Sequence, residues 1–163
     1  DRYGNPLDPE IFRGGRPVSV AGPLTITQRR SGQPLSWTFA DFDMPVVSAA
    51  IAELLLSLAA QDIEVHPAKV EGDGESFAVI NVLTCCACLD ETRAEYQKWS
   101  VDDGRPDKAG QYRQVSRLLI NHEAAENSEI FRIEGWRIAL VVSGRVRAAL
   151  EQIGCSGARF VRV

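Results

Sequence analysis

The chain has 163 residues, of which 45% are hydrophobic and 25% are charged, and these values are typical of a folded globular protein rather than a disordered one. Its 18 Lys and Arg residues against 22 Asp and Glu residues give a net charge of −4, which argues against nucleic acid as a partner because phosphate contacts need a basic surface. No apolar run reaches the roughly 18–20 residues of a membrane span, and no signal-peptide pattern opens the chain. We therefore predict no membrane partner.

The first 35 residues are rich in Gly, Pro and Arg, and this composition predicts a loop-rich N-terminal extension with one short strand at "PLTITQ". "FRGGR" lacks the GK[ST] ending of a phosphate-binding loop, so we interpret it as a turn. The chain begins at Asp1 rather than Met, which leaves room for an upstream segment. The length fits one domain over residues 1–163, large enough to bury a core without metal or disulfide bonds.

One cap–helix–strand pattern occurs twice, over residues 46–70 and 141–163, and the copies align without a gap when Ser48 is placed over Ser143. Each serine is the predicted N-cap of a helix, and apolar residues follow it with a helical period. These apolar positions are Ile51, Leu54, Leu55 and Leu58 in the first copy and Val146, Ala149, Leu150 and Ile153 in the second. Strands are predicted after both helices, at "IEVHPAKV" and, beyond a helix-ending Gly154, at "ARFVRV". The copies share no acid, base or nucleophile, so the pattern indicates packing rather than catalysis.

Between the two copies, the pattern predicts mainly strands. "FAVINVLTCCACL" follows a turn at Asp73-Gly74 and is apolar on both faces, which is typical of one long central strand. The charged residues 90–110 predict a short helix and then an exposed loop. "YRQVSRLLI" predicts a strand, "NHEAAENSE" a polar turn or single helical turn, and "IFRIEGWRIALVVS" a hairpin that bends at Glu134-Gly135. The predicted fold is α+β, a central mixed or antiparallel sheet on which the two units pack.

Three of the four cysteines, Cys85, Cys86 and Cys88, are clustered, whereas a disulfide framework would spread them more evenly. No second cysteine pair or nearby histidine completes a four-ligand metal site. We interpret the cysteines as small buried core residues. Reduced thiols of this kind indicate a cytoplasmic protein.

Two incomplete catalytic patterns leave an enzyme open as the alternative. "HEAAE" at 122–126 resembles the HExxH zinc motif, but a glutamate stands in place of its second histidine; a metal hydrolase would use His122 and Glu123. A thiol hydrolase would pair Cys86 with His66, although no glycine elbow or helix start follows the cysteines to lower a thiol pKa. We therefore predict no catalytic residue, no metal and no cofactor.

The second half of the chain, from about residue 40 to the end, resembles immunity protein eleven, a family of myxobacterial-type immunity proteins of bacterial polymorphic toxin systems. The resemblance is carried by "VINVLTCCACLDE", by "EIFRI" at 129–133 and by the terminal "VVSGRVRAALEQIGCSGARFVRV". "CCAC" departs from the family pattern, where aliphatic or polar residues are more usual. We interpret the matching residues as structural, with Asn81 and Asp90 closing strand ends and Arg132 pairing with an acid. They are Asn81, Leu89, Asp90, Phe131, Arg132, Ser143, Gly157 and Phe160.

The resemblance implies a non-enzymatic protein that binds and blocks a toxin domain encoded beside it. An adaptor or toxin-specific chaperone is a further alternative, in which the toxin would stay active while bound. The acidic and aromatic stretches "SWTFADFD" at 36–43 and "EYQKWSVDDG" at 95–104 are candidate contacts, because mild acidity would complement a basic nuclease. The candidate contact residues are Trp37, Asp41, Asp43, Tyr96, Trp99, Asp102 and Asp103.

Overall fold

The computed structural model of the protein describes residues 5–28 and 32–163. Within these ranges the chain forms ten strands and two α-helices, the α+β fold that the sequence predicts. The strands are β1 (Leu24–Ile26), β2 (Trp37–Ala40), β3 (Met44–Ser48), β4 (Ile63–Val70), β5 (Ser76–Val82), β6 (Cys85–Cys86), β7 (Glu95–Lys98), β8 (Tyr112–Arg117), β9 (Ile130–Ile133) and β10 (Trp136–Val142). The helices are α1 (Ala49–Ala59) and α2 (Gly144–Gln152).

The largest sheet is mixed and has the strand order β1-β4-β5-β3-β2, in which β1 pairs with β4 in parallel and the other pairs are antiparallel. A second sheet has the order β10-β9-β6, and β7 and β8 form a separate antiparallel pair. Strand β5 lies at the centre of the first sheet and all its residues after Ser76 are buried. The apolar run on both faces of this strand therefore predicted its central position correctly.

The two helices pack in one core cluster, as the repeated apolar pattern predicts. Leu55 on α1 and Val146 and Leu150 on α2 are all 0% exposed. Ser143 caps α2, because its Oγ accepts a hydrogen bond from the amide of Val146 at 3.2 Å. Ser48 occupies the N-cap of α1 with an extended backbone, but its side chain makes no cap hydrogen bond. The predicted capping role is therefore correct for Ser143 and wrong for the side chain of Ser48.

The second copy of the repeated unit ends without the predicted strand. Residues 158–163 are outside any strand, whereas the corresponding part of the first copy is β4. The chain first meets the edge strand β2, where the Trp37 amide donates to the Ser156 carbonyl at 3.0 Å. Gly157 then turns away with a φ of 90°, so close to β2 that a Cβ would lie 2.1 Å from the Trp37 carbonyl oxygen. This turn ends the pairing before a ladder can form.

The predicted long strand at "FAVINVLTCCACL" is broken into β5 and β6. Asp62 interrupts it: the amide of Leu83 donates to the Asp62 carbonyl at 2.8 Å, and the hydroxyl of Thr84 donates to Asp62 Oδ1 at 2.7 Å. Oδ2 of the same carboxylate accepts from the amides of Glu129 and Ile130 at 2.7 and 3.2 Å. The chain consequently leaves the first sheet at Leu83 and enters the second at β6, beside β9.

The helix predicted within residues 90–110 is also absent. Asp90 accepts hydrogen bonds from the amides of Thr92 and Arg93 and stabilises a turn, after which β7 forms and pairs with β8. The exposed loop predicted beyond it is present and contains two 3₁₀ turns, Val101–Asp103 and Pro106–Lys108. Strand β8, the 3₁₀ turn Glu123–Ala125 and the β9–β10 hairpin agree with the prediction.

The described part of the predicted N-terminal extension contributes to the core. The 3₁₀ helix Pro9–Arg13 buries Phe12 to 2% exposure against Met44 and Val79. The short strand predicted at "PLTITQ" is β1, which pairs with β4. The first four residues and residues 29–31 of the extension lie outside the described ranges.

Candidate functional site

Asn81 binds the N-terminal segment to the central strand. It is 0% exposed and lies one residue before the end of β5, and its Nδ2 donates to the Arg16 carbonyl at 2.9 Å and to Glu64 Oε2 at 3.1 Å. Glu64 also accepts from the Val18 amide and lies 3.0 Å from His66 Nε2. Burial alone would raise the pKa of Glu64, but the hydrogen bonds from Val18, Asn81 and His66 outweigh it and lower the pKa.

Arg132 is the buried centre of a second network. It is 0% exposed, and its guanidinium donates to two main-chain carbonyls, those of Arg137 at 2.6 Å and Asp43 at 2.7 Å. The predicted pairing with a carboxylate is therefore wrong, because the nearest acceptors are backbone oxygens. Burial, and then the positive charge of Arg13, lower the pKa of Arg132 to about 10, so that it stays charged at neutral pH.

The remaining family-motif residues lie in turns and cores. Leu89 forms a bridge with Ile120, Phe131 is 3% exposed in the core of the second sheet, and Phe160 packs against the cluster that contains both helices. Hydrogen bonds to the carboxylate of Asp90, first from Thr92 and then from Arg93, lower its pKa to about 2.

A strained turn joins β2 to β3. In this Phe42 turn, Asp41–Asp43, both Phe42 and Asp43 adopt left-handed backbone angles, with φ of 58° and 55°. Bulky side chains rarely adopt this conformation because Cβ crowds the following carbonyl. Arg132 holds the Asp43 carbonyl, and Arg13 Nη2 lies 3.9 Å from the Asp43 carboxylate. The Phe42 ring nevertheless remains 48% exposed.

A separate two-stranded arm carries a stacked set of aromatic and charged side chains. In this aromatic arm, residues 90–117, the rings of Tyr96 and Tyr112 meet edge to face at 5.3 Å, and Lys98 Nζ lies 5.0 Å from the Tyr112 ring centroid. Glu91 accepts from Lys98 Nζ at 2.6 Å and from both tyrosine hydroxyls. These hydrogen bonds, the one from Lys98 first, lower the pKa of Glu91 to about 2.

Trp99, at the end of β7, lies beneath two cations. The Arg113 guanidinium is 4.7 Å and Lys108 Nζ is 5.7 Å from the indole centroid. Asp103 completes the group by accepting from Arg113 at 3.1 Å and from the Ser100 amide at 2.8 Å. The arrangement holds long side chains in fixed positions on an exposed surface.

A cleft of about 640 Å³ separates the aromatic arm from the β9–β10 hairpin. Its walls include Arg13, Trp99, Tyr112, Arg113, Trp136 and Arg137. Trp99 belongs to the predicted contact stretch 95–104, and Arg13 is ion-paired with Asp43 of the stretch 36–43. Asp43 of the first stretch therefore lies near the wall of the cleft that Trp99 of the second stretch lines.

The candidate contact residues differ in accessibility. Asp41 and Asp43 lie in the Phe42 turn, and Asp102 is exposed at the tip of the aromatic arm. Trp37 is only 4% exposed and packs in the helix cluster, so the structure places it in the core rather than on a contact surface. Phe42 lies within the predicted stretch 36–43 but was not among the predicted contact residues, although its position between two aspartates was an available signal. Arg13 and Arg137 lie outside both predicted stretches.

The side chains named for the enzyme alternatives do not assemble. Cys86 Sγ lies 3.6 Å from the Ser128 hydroxyl, whereas His66 contacts Glu64 and Phe12. Burial raises the pKa of the Cys88 thiol to about 11, which disfavours the nucleophilic thiolate. His122 and Glu123 are exposed in a 3₁₀ turn, and no group of three metal-ligating side chains is found in the described ranges 5–28 and 32–163.

Comparisons with known proteins place these observations in a family. A family model described as "Immunity protein family (Imm11)" matches residues 8–163, which extends the resemblance seen in the sequence towards the N-terminus. No curated protein matches the chain. In the part of the chain that the structure describes, neither helix has the length and apolar character to cross a membrane.

Proposed function

Because the chain belongs to the immunity protein family (Imm11), we propose that it binds and neutralises a cognate toxin domain by protein–protein contact, without catalysis. The family match over residues 8–163 is the observation that carries this proposal. We expect the toxin to be encoded by the adjacent gene and the complex to form in the cytoplasm, without nucleic acid, membrane or cofactor.

The toxin-binding surface that we propose comprises the Phe42 turn, the cleft and the aromatic arm. Trp, Tyr and Arg are the side chains that most often dominate protein–protein binding energy, and Trp99, Tyr112 and Arg113 line this cleft together. Their stacking and ion pairs restrict them before binding, so little further side-chain entropy would be lost. An arm and a cleft of this kind fit an interface of standard size, about 800 Å² on each partner.

The first experiment is rescue of cells that express the toxin domain from the adjacent gene, followed by titration of toxin activity with the purified protein. Neutralisation by contact predicts rescue and an inhibition endpoint at one protein per toxin. An enzyme would inhibit at far lower ratios, and an adaptor would form the complex while the toxin stayed active. Absence of both rescue and a complex would contradict the proposal.

The contribution of the aromatic arm can be tested with a charge reversal at its tip. Asp102 is exposed and its carboxylate makes no ion pair with any residue in the ranges 5–28 and 32–163, so Asp102→Lys changes charge without removing an ion pair of the fold. Glu126→Lys, at another exposed acid, is the matched control. We expect the Asp102 variant alone to bind toxin more weakly and more slowly, as loss of electrostatic steering would cause. Equal binding by both variants would remove the arm tip from the surface.

A further inference from the structure

The Phe42 turn holds an aromatic side chain where the backbone disfavours one. Among the described residues, all the positive-φ positions other than Phe42 and Asp43 are glycines. Glycine or asparagine would adopt the same backbone angles at less cost. Phe42 is 48% exposed, so its partial burial in the fold offsets only part of that cost.

The surrounding structure enforces this strained turn. Arg132 is completely buried and donates to the Asp43 carbonyl at 2.7 Å, while its other terminal nitrogen donates to the Arg137 carbonyl. Arg137 in turn donates to the Arg13 carbonyl at 3.3 Å, and Arg13 approaches the Asp43 carboxylate. Arg13 and the two arginines of the β9–β10 hairpin thus hold the backbone of the turn that carries Phe42. Strain that neighbouring groups enforce at an exposed position is typical of a functional site.

We infer that Phe42 is the anchor residue of the toxin interface, and that its ring enters an apolar pocket on the toxin domain whose rim carries basic side chains. This inference rests on the proposed function. The Asp43 carboxylate, on the residue after Phe42, stays 43% exposed although Arg13 lies 3.9 Å away, and the chain has a net charge of −4, so a basic rim is its complement. A pre-positioned aromatic anchor binds tightly because its ordering cost is met before association. Phe39, on the adjoining strand β2, is also exposed, at 51%.

Phe42→Asn separates a binding role from a folding role. Asparagine tolerates the left-handed conformation, so we expect the urea midpoint of unfolding to stay level or to rise. We expect the affinity for the toxin domain to fall by about tenfold or more, as truncating an anchor residue does. Isothermal titration of toxin domain, inactivated by substitution in its own active site, would measure this affinity.

Leu56→Asn is the matched control, because Leu56 is another large exposed apolar side chain, 42% exposed, but lies in regular helix α1. We expect the opposite result from it: a lower urea midpoint, since asparagine is a poorer helix former, and toxin affinity within about twofold of the original protein.

The possible outcomes test the inference about Phe42 separately from the proposed function. Unchanged affinity of Phe42→Asn for a toxin that the original protein binds would overturn the inference and leave the proposed function in place. A clear fall in the urea midpoint would show that the ring stabilises the fold, which would also overturn it. Failure of the original protein to bind the toxin would overturn the proposed function and the inference with it.

Discussion

The two copies of the repeated unit, residues 46–70 and 141–163, begin alike and end differently. Both present an apolar helix face to one core, where α1 and α2 contact each other. After the first helix the chain becomes β4, which pairs with β1 on one side and β5 on the other. After the second, it meets edge strand β2 near Ser156 and turns away at Gly157.

This difference separates what a local pattern determines from what it does not. A helix satisfies its own backbone, so a periodic apolar face suffices to specify it once a core is present. A strand needs a neighbour along its length, and "ARFVRV" has suitable residues but follows a turn at Gly157 that leads it away from edge strand β2. Substitutions at matched positions of the two copies test this contrast.

Leu55→Ala and Leu150→Ala should lower the free energy of unfolding by nearly the same amount, because the two leucines occupy equivalent positions and are both 0% exposed in one cluster. We expect each to lower the free energy of unfolding by about 3–4 kcal/mol, from lost burial and the cavity left behind. Urea denaturation would measure both. A much smaller loss for one leucine would mean that its helix packs loosely and that the copies are not equivalent.

Gly157→Ala should disrupt the turn at which the second copy departs from the first. The new Cβ would lie 2.1 Å from the Trp37 carbonyl oxygen, at a φ of 90° that alanine avoids. We expect a loss of about 3 kcal/mol in the free energy of unfolding. Gly154→Ala is the control, with a φ of 72° but open space around it, and should cost only about 1 kcal/mol. Equal losses would mean that the close approach to β2 is unimportant.

Replacing each of the two cap serines with alanine should change the stability of the protein by different amounts. Ser143→Ala removes the hydrogen bond that Ser143 Oγ accepts from the Val146 amide and the one that it donates to the Glu129 carboxylate, and should lower the free energy of unfolding by about 1 kcal/mol or more. The Ser48 side chain makes no such bond, so Ser48→Ala should stay within about 0.5 kcal/mol of the original protein. Thermal or urea unfolding of the two variants gives the comparison. A larger loss at Ser48 would contradict the cap assignment.

The weakest effect that we expect is on the loss of stability at acidic pH. Glu64 in the first copy aligns with Arg159 in the second, so only the first copy has a carboxylate that titrates here. Hydrogen bonds lower the folded-state pKa of Glu64, so its contribution to stability is present above its unfolded pKa and is lost as the pH falls through the folded value. Glu64→Gln should therefore make the urea midpoint less sensitive to acid.

Exposed Glu126→Gln is the control for this acid measurement and should leave the sensitivity unchanged. Equal acid curves for Glu64→Gln and the original protein would show that the Glu64 network adds nothing to stability.

Features encoded by neighbouring residues were predictable from the sequence. The periodic leucines of α1, the cap and helix of α2 and the Glu134-Gly135 hairpin all depend on short-range chemistry, and each is present. The wrong predictions concern features that depend on contacts between residues far apart in the chain. Asp62 breaks the strand at Leu83 from more than 20 positions away, and no local pattern could indicate that.

The candidate surface was predictable only in part. Acidic and aromatic composition selected two stretches, but composition cannot distinguish a buried ring from an exposed one, so Trp37 was named as a contact residue and Phe42 was not. The prediction of a helix after Asp90 was wrong because charged residues fit a paired strand as well as a helix when β8 lies beside them. Arg13 is far in the chain from Arg132 and Arg137, and only the fold brings it beside them at the Phe42 turn.

Asp62 has a consequence for the dynamics of the whole molecule. Its carboxylate accepts from Thr84, at the crossover between the two larger sheets, and from the amides of Glu129 and Ile130, at the start of β9. One buried group thus belongs to both sheets, and neither sheet can open without breaking its hydrogen bonds. The amides of Glu129 and Ile130 should then exchange with deuterium only through global opening, which makes the two sheets a single cooperative unit.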